Sequence, residues 1–159
     1  MLSLRNLSIL IILFASSCRS SEVFKQFEEI NPNSSVLYIL RPYQDVLVLN
    51  KYFIEVYKYK DDFKKSPEQK LIFKSKIKDG EYIILRLSEG YYRIAIPHFK
   101  NTFQILLIKN NEEYFYQVNF YSKGFMYFPE AFLNKITKKD AAERLLEFNR
   151  MKKHPQSLP

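Results

Sequence analysis

The sequence predicts an all-β sandwich of about seven mostly antiparallel strands, followed by a C-terminal α-helix. Three observations carry that expectation. Short apolar and aromatic runs recur at intervals of about ten residues, separated by turn residues. Within Glu113–Tyr121, Tyr114, Tyr116, Val118 and Phe120 alternate with Gln117 and Asn119, the period of two of a strand with one buried face. After Thr137 the period becomes helical.

The elements follow in order. Ser35–Arg41 is β-rich and stops at Pro42, which has no N–H for a ladder. Val46–Tyr59 forms a second strand region, broken or bulged at Asn50–Lys51. Residues 60–69 (KDDFKKSPEQ) are charged and contain Pro67, as an exposed connection does. Leu71–Lys78 and Glu81–Leu87 flank Asp79–Gly80, a dipeptide suited to a tight hairpin. Glu89–Gly90 leads into Tyr91–Ile96, and a turn over Pro97–Asn101 leads into Thr102–Lys109. Asn110–Asn111 precedes Glu113–Tyr121, and Phe125–Phe128 adds an edge strand ended by Pro129. Thr137, with Asp140 three positions on, caps a helix carrying Ala141, Leu145 and Phe148 on one stripe and running to about Lys152.

The N-terminus gives an address. Arg5 and the apolar run Leu7–Phe14 precede the small residues Ala15, Ser16 and Ser17, the layout of a secretory signal peptide. The run is too short to cross a hydrocarbon core, which takes about 20 helical residues. The next residue, Cys18, is the single cysteine of the chain, so no intramolecular disulfide can form. The segment resembles a bacterial lipobox of the relaxed, spirochaete-like kind, with Ala15 in the place of the usual Leu. That resemblance implies cleavage before Cys18, which becomes residue one and carries the lipid (palmitate among the chains).

The chain therefore divides into a signal peptide (1–17), a lipidated Cys18 with a tether (18–34) and a sandwich domain with its helix (35–152). A disordered tail (153–159) completes it. Cleavage removes Arg5 and leaves 24 basic against 17 acidic residues, a net charge of +7.

Catalytic chemistry is sparse. Three glycines give neither phosphate-loop spacing, and the two histidines stand apart, His98 in a turn and His154 in the tail beside Pro155. The carboxylate pairs Glu28–Glu29, Asp61–Asp62 and Glu112–Glu113 are sequence neighbours, which on a strand point to opposite faces. No catalytic, metal-binding or cofactor-binding residue is expected. Lys58, Lys60, Lys64, Lys65, Lys74, Lys76 and Lys78 interleave with Tyr57, Tyr59, Phe63 and Phe73. That mixture can bind single-stranded nucleic acid, but on an exported chain the charge more naturally meets anionic lipid head groups, lipopolysaccharide or peptidoglycan. The favoured reading is a solvent face that blunts strand edges.

Three segments carry a further resemblance: Tyr38–Arg41–Pro42 in the first strand, Gly90–Tyr91–Tyr92, and Glu113–Tyr116 in the late strand. The chain is similar, over about 35–152, to small bacterial lipoproteins that share an uncharacterised β-sandwich domain of unassigned function. The resemblance implies fold and address and transfers no catalytic residue. The whole sequence is read as a non-catalytic binding or assembly module in the cell envelope, lipid-anchored with the outer membrane favoured over the inner. Its partners would be the membrane, through the lipid, and an envelope protein, with no nucleic acid. The alternatives are a surface adhesin or ligand-binding lipoprotein, and an envelope hydrolase.

Overall fold

The computed structural model describes residues 22–44, 50–122, 129–147 and 151–155. Its centre is β1 (Ser35–Arg41), buried at all seven positions. A strand buried on both faces needs a layer above and a layer below, and its alternation feeds two cores. Leu37 and Ile39 enter one cluster, while Val36, Tyr38 and Leu40 enter the other.

β1 lies in the middle of a five-stranded sheet. It pairs antiparallel with β4 (Glu81–Leu87) and parallel with β7 (Glu113–Tyr121), and β8 (Glu130–Lys135) and β9 (Lys152–Lys153) form the edges. The facing sheet has four strands, β2 (Tyr52–Tyr59), β3 (Gln69–Ile77), β5 (Gly90–Ala95) and β6 (Phe103–Ile108), in the order β3-β2-β5-β6. The inter-sheet core takes the expected face of β7: Tyr114, Tyr116, Val118 and Phe120 are all buried in it. The fold class is that of the sequence expectation, a β-sandwich with a C-terminal helix.

The outer face of the five-stranded sheet is where the domain limits change. Val36, Tyr38, Leu40, Tyr82, Ile84 and Phe115 make it apolar, and helix α1 (Lys138–Leu146) contributes only Ala141 and Leu145 to its burial. The rest of the cover comes from Phe24, Phe27, Ile136 and Met151. Phe24 is 3% exposed, and Phe27 sits edge-on to both Tyr38 and Phe115 at 5.4 Å. Glu28 N–H donates to the Tyr38 hydroxyl at 2.7 Å. The reading of 18–34 as a tether is thus corrected from residue 22 onward. The three-residue spacing of Phe24 and Phe27 suits a helical turn, but here it serves an extended segment fastened by a Val23–Lys152 bridge. Cys18 and the signal segment lie outside the described residues.

Three further expectations change. Asp79–Gly80 makes no hairpin: it passes the chain from the four-stranded to the five-stranded sheet, with Gly80 at φ 72°. A side chain there would be strained at that φ and would force the Tyr43 ring to move aside. The helix ends at Leu146, short of Lys152, because Met151 must return to the core; its N–H donates to Leu145 C=O at 3.1 Å. Lys152–Lys153 then pairs parallel with Glu81–Tyr82, so 153–155 belong to the fold and not to a tail. The strand expected at Phe125–Phe128 lies outside the described residues, as do 46–49 of the second strand region; β8 follows Pro129.

Thr137 caps the helix as expected. Its hydroxyl accepts from Asp140 N–H at 3.1 Å while Asp140 accepts from Thr137 N–H at 3.3 Å.

Truncating a core aromatic costs about 3–5 kcal/mol, whereas losing hydrogen bonds at a partly exposed side chain costs about 1 kcal/mol. Phe120→Ala should therefore lower the urea midpoint far more than Asn119→Ala, although the two residues are adjacent on β7. Equal midpoints would place the wrong face of β7 in the core.

Candidate functional site

The two histidines meet different fates. His98 is exposed in the β5–β6 turn, its ring 5.5 Å from Tyr52 and 5.2 Å from Phe99. His154 is held, contrary to the tail reading. Its backbone N–H donates to Tyr82 C=O at 2.8 Å. Its Nδ1 lies 3.0 Å from Glu81 Oε2 and its Nε2 lies 2.6 Å from Ser75 Oγ. Because the carboxylate oxygen can only accept, Nδ1 carries the donated proton, and in the neutral ring Nε2 accepts from the serine hydroxyl.

Each member is positioned by a different strand. Ser75 lies on β3, at the edge of the four-stranded sheet, and Glu81 opens β4 in the other sheet. His154 follows β9, which closes the five-stranded sheet on that side. The relay therefore spans the two sheets along one side of the sandwich, and the side chains of Glu81 and His154 are each 12% exposed. Burial works against the Glu81 charge, but the His154 ring and the Lys78 N–H, at 2.9 Å, together hold its carboxyl below the usual range.

The order serine, imidazole, carboxylate is that of a nucleophile, its base and an orienting group. Acyl transfer also needs a space beside the nucleophile and donors for the oxyanion. Three grooves among the described residues include none of Ser75, Glu81 and His154. A groove of about 630 Å³ runs along the opposite side of the sandwich between β6 and β8, and another of about 690 Å³ lies on β2 and β3 beside Tyr59, Lys70 and Ile72. What the relay does in this geometry is join the two sheets and hold the end of the chain in place.

The remaining candidates become structural. Asp62 closes its own loop, accepting from Lys64 N–H at 3.0 Å, and Glu28 pairs with Arg86 at 2.9 Å and Lys153 at 2.8 Å. Glu112 accepts from the Tyr114 hydroxyl at 2.6 Å, and Glu113 pairs with Lys138. Of the aromatics interleaved with lysine, Tyr59 and Phe73 are buried, so the four form no continuous stacking row. Lys74 and Lys76 each lie 4.8 Å from the centroid of Phe53, and Lys74 also pairs with Glu55 at 2.7 Å.

Among the described residues no group of three or more His, Cys, Asp or Glu could hold a metal ion, and no helix is long and apolar enough to cross a membrane. Comparison with protein-family models, with curated proteins and with solved structures finds no match for this chain.

The relay gives a pH-dependent expectation. A carboxyl with a depressed folded value stabilises the fold above its unfolded value, 4.5 for Glu81, and that contribution disappears as pH falls through the lower folded value. The stability gap between wild type and Glu81→Gln should be widest above pH 4.5 and should close in acid. Separately, His154→Ala at neutral pH should cost about 1–3 kcal/mol by urea denaturation, since it leaves part-buried partners without their bonds. A wild-type midpoint in His154→Ala would show that the relay holds nothing.

Proposed function

We propose that this is a lipid-anchored bacterial cell-envelope protein whose β-sandwich acts as a non-catalytic binding or assembly module. The observation that carries the reading is Cys18, the single cysteine of the chain, directly after an apolar run and three small residues. Acyl chains contribute about 0.8 kcal/mol per buried CH₂, so several on one residue hold a protein firmly.

The domain limits sharpen the reading. The described fold starts at Glu22, whose C=O accepts from Lys153 N–H at 2.7 Å. Four residues span at most about 14 Å in any conformation, so a lipid on Cys18 keeps the sandwich close to the bilayer surface. The binding half of the reading is supported by the side of the sandwich away from the relay, where the β6–β8 groove lies open.

A second reading, an envelope hydrolase with Ser75 as nucleophile, draws on the 2.6 Å contact with His154. A fluorophosphonate probe separates the two. Labelling of the wild type that disappears in Ser75→Ala would establish the hydrolase, and the binding-module reading expects no labelling.

The anchor has its own test. A clickable fatty acid fed to expressing cells should mark the wild type, and Cys18→Ala should be unmarked and should leave the membrane fraction or accumulate as precursor. Equal labelling of both chains would exclude Cys18 as the lipid site.

A further inference from the structure

We infer that the free edge of β6 is a self-association surface, on which β6 of a second copy pairs antiparallel to extend the four-stranded sheet across a two-fold axis. The inference rests on the assembly half of the proposed function and is independent of the lipid.

The backbone points to a strand as the occupant. Ile96 N–H donates to Thr102 C=O at 3.0 Å, which makes 96 and 102 a hydrogen-bonded pair of the β5–β6 ladder. Such pairs alternate in an antiparallel ladder, so Gln104, Leu106 and Ile108 bond to β5 while Phe103, Ile105 and Leu107 turn their N–H and C=O groups away from it. Among the described residues no strand takes up those groups.

The side chains single out β6 among the edges. Free edges are usually blunted by charge, proline or a bulge. β3 carries Lys70, Lys74 and Lys76 and a register shift against β2. β8 carries Glu130 and Lys135, and its Ala131 C=O accepts from the Thr102 hydroxyl at 3.0 Å. β6 reads FQILLI, with no charge, proline or glycine, and it leaves Phe103 and Leu107 41% and 40% exposed. An apolar edge of that kind is stable in solution when another strand covers it.

Self-complementarity identifies that strand. Antiparallel pairing about Ile105 sets Ile105 against its own copy and Phe103 against Leu107, all through outward-facing backbone groups. In that register Lys109 falls opposite Asn101 and Lys100 opposite Asn110, so no two like charges meet. The interface is isologous and closes at two copies, because pairing consumes both free edges.

The test uses the full-length chain, extracted in detergent, with a photo-crosslinking amino acid at position 107. Irradiation should give a species of twice the chain mass, carrying both tags when two differently tagged copies are co-expressed. Ile105→Pro removes only an outward N–H and leaves the β5–β6 bonds in place. Together with a wild-type circular dichroism spectrum, it should cut the crosslink yield by about tenfold or more. Leu107→Lys, followed by sedimentation, reads the same interface without relying on the proline variant folding, and should sediment as one copy where wild type sediments as two. A wild-type chain that sediments as one copy, or crosslinks only to a different protein, would overturn the inference, as would dimers unaffected by both substitutions.

Discussion

The guanidinium of Arg41 is the point at which the two sheets are tied. It is fully buried at the end of β1, and one of its nitrogens donates to Asn50 C=O at 2.6 Å and Ile77 C=O at 3.1 Å. Its Nε lies 3.6 Å from Asp79 Oδ1, and the group rests 4.7 Å from the centroid of Phe120. Phe120 in turn stacks on Tyr52 at 4.6 Å. One side chain thus touches the end of β1, the approach to β2, the end of β3, the sheet-changing turn and the core face of β7. Burial holds the guanidinium below its usual pKa, and the neighbouring Asp79 offsets only part of that pull. A planar group with five donors can bridge this many acceptors at once, which a lysine cannot.

From that tie the sandwich develops two unlike sides. On one side β9, the residues before β1 and the Ser75–His154–Glu81 relay bring the chain ends together and join the sheets. On the other, β6 and β8 are linked by the bond from Thr102 to Ala131, beside the groove. The hydrolase-like order of groups and the exposed apolar edge therefore stand at opposite sides of the sandwich: the first joins the two sheets, and the second leaves backbone groups of β6 turned outward.

How much of this was legible in the sequence follows from the range of each interaction. Period two in β7 and the Thr137–Asp140 cap are local signals, and both correspond to what forms. The partition of strands between sheets is not local: Asp79–Gly80 has hairpin residues, yet here the chain crosses to the other sheet with Asp79 beside the Arg41 guanidinium. His154 meets a serine 79 positions away, and no spacing rule connects them. Phe24 and Phe27 lie in a polar segment, and their burial follows only from the bare outer face of β1. The unguarded edge of β6 could be read from FQILLI alone, but which of the strands stand at edges could not. Arg41 had a signal in Tyr38–Arg41–Pro42; what that motif lacked was its partners.

The most direct measurement of the account is the urea unfolding of Arg41→Met and Arg41→Lys against wild type, with Lys109→Met as a surface control. Removing one member of a buried charged network costs about 3–5 kcal/mol, because the remaining carbonyls and the Asp79 carboxylate keep their desolvation without their donor. Both Arg41 variants should fall by amounts of that order, lysine included, since charge without the planar fork cannot reach the same acceptors. A midpoint for Arg41→Lys equal to that of the surface control would contradict the claim that this guanidinium ties the two sheets.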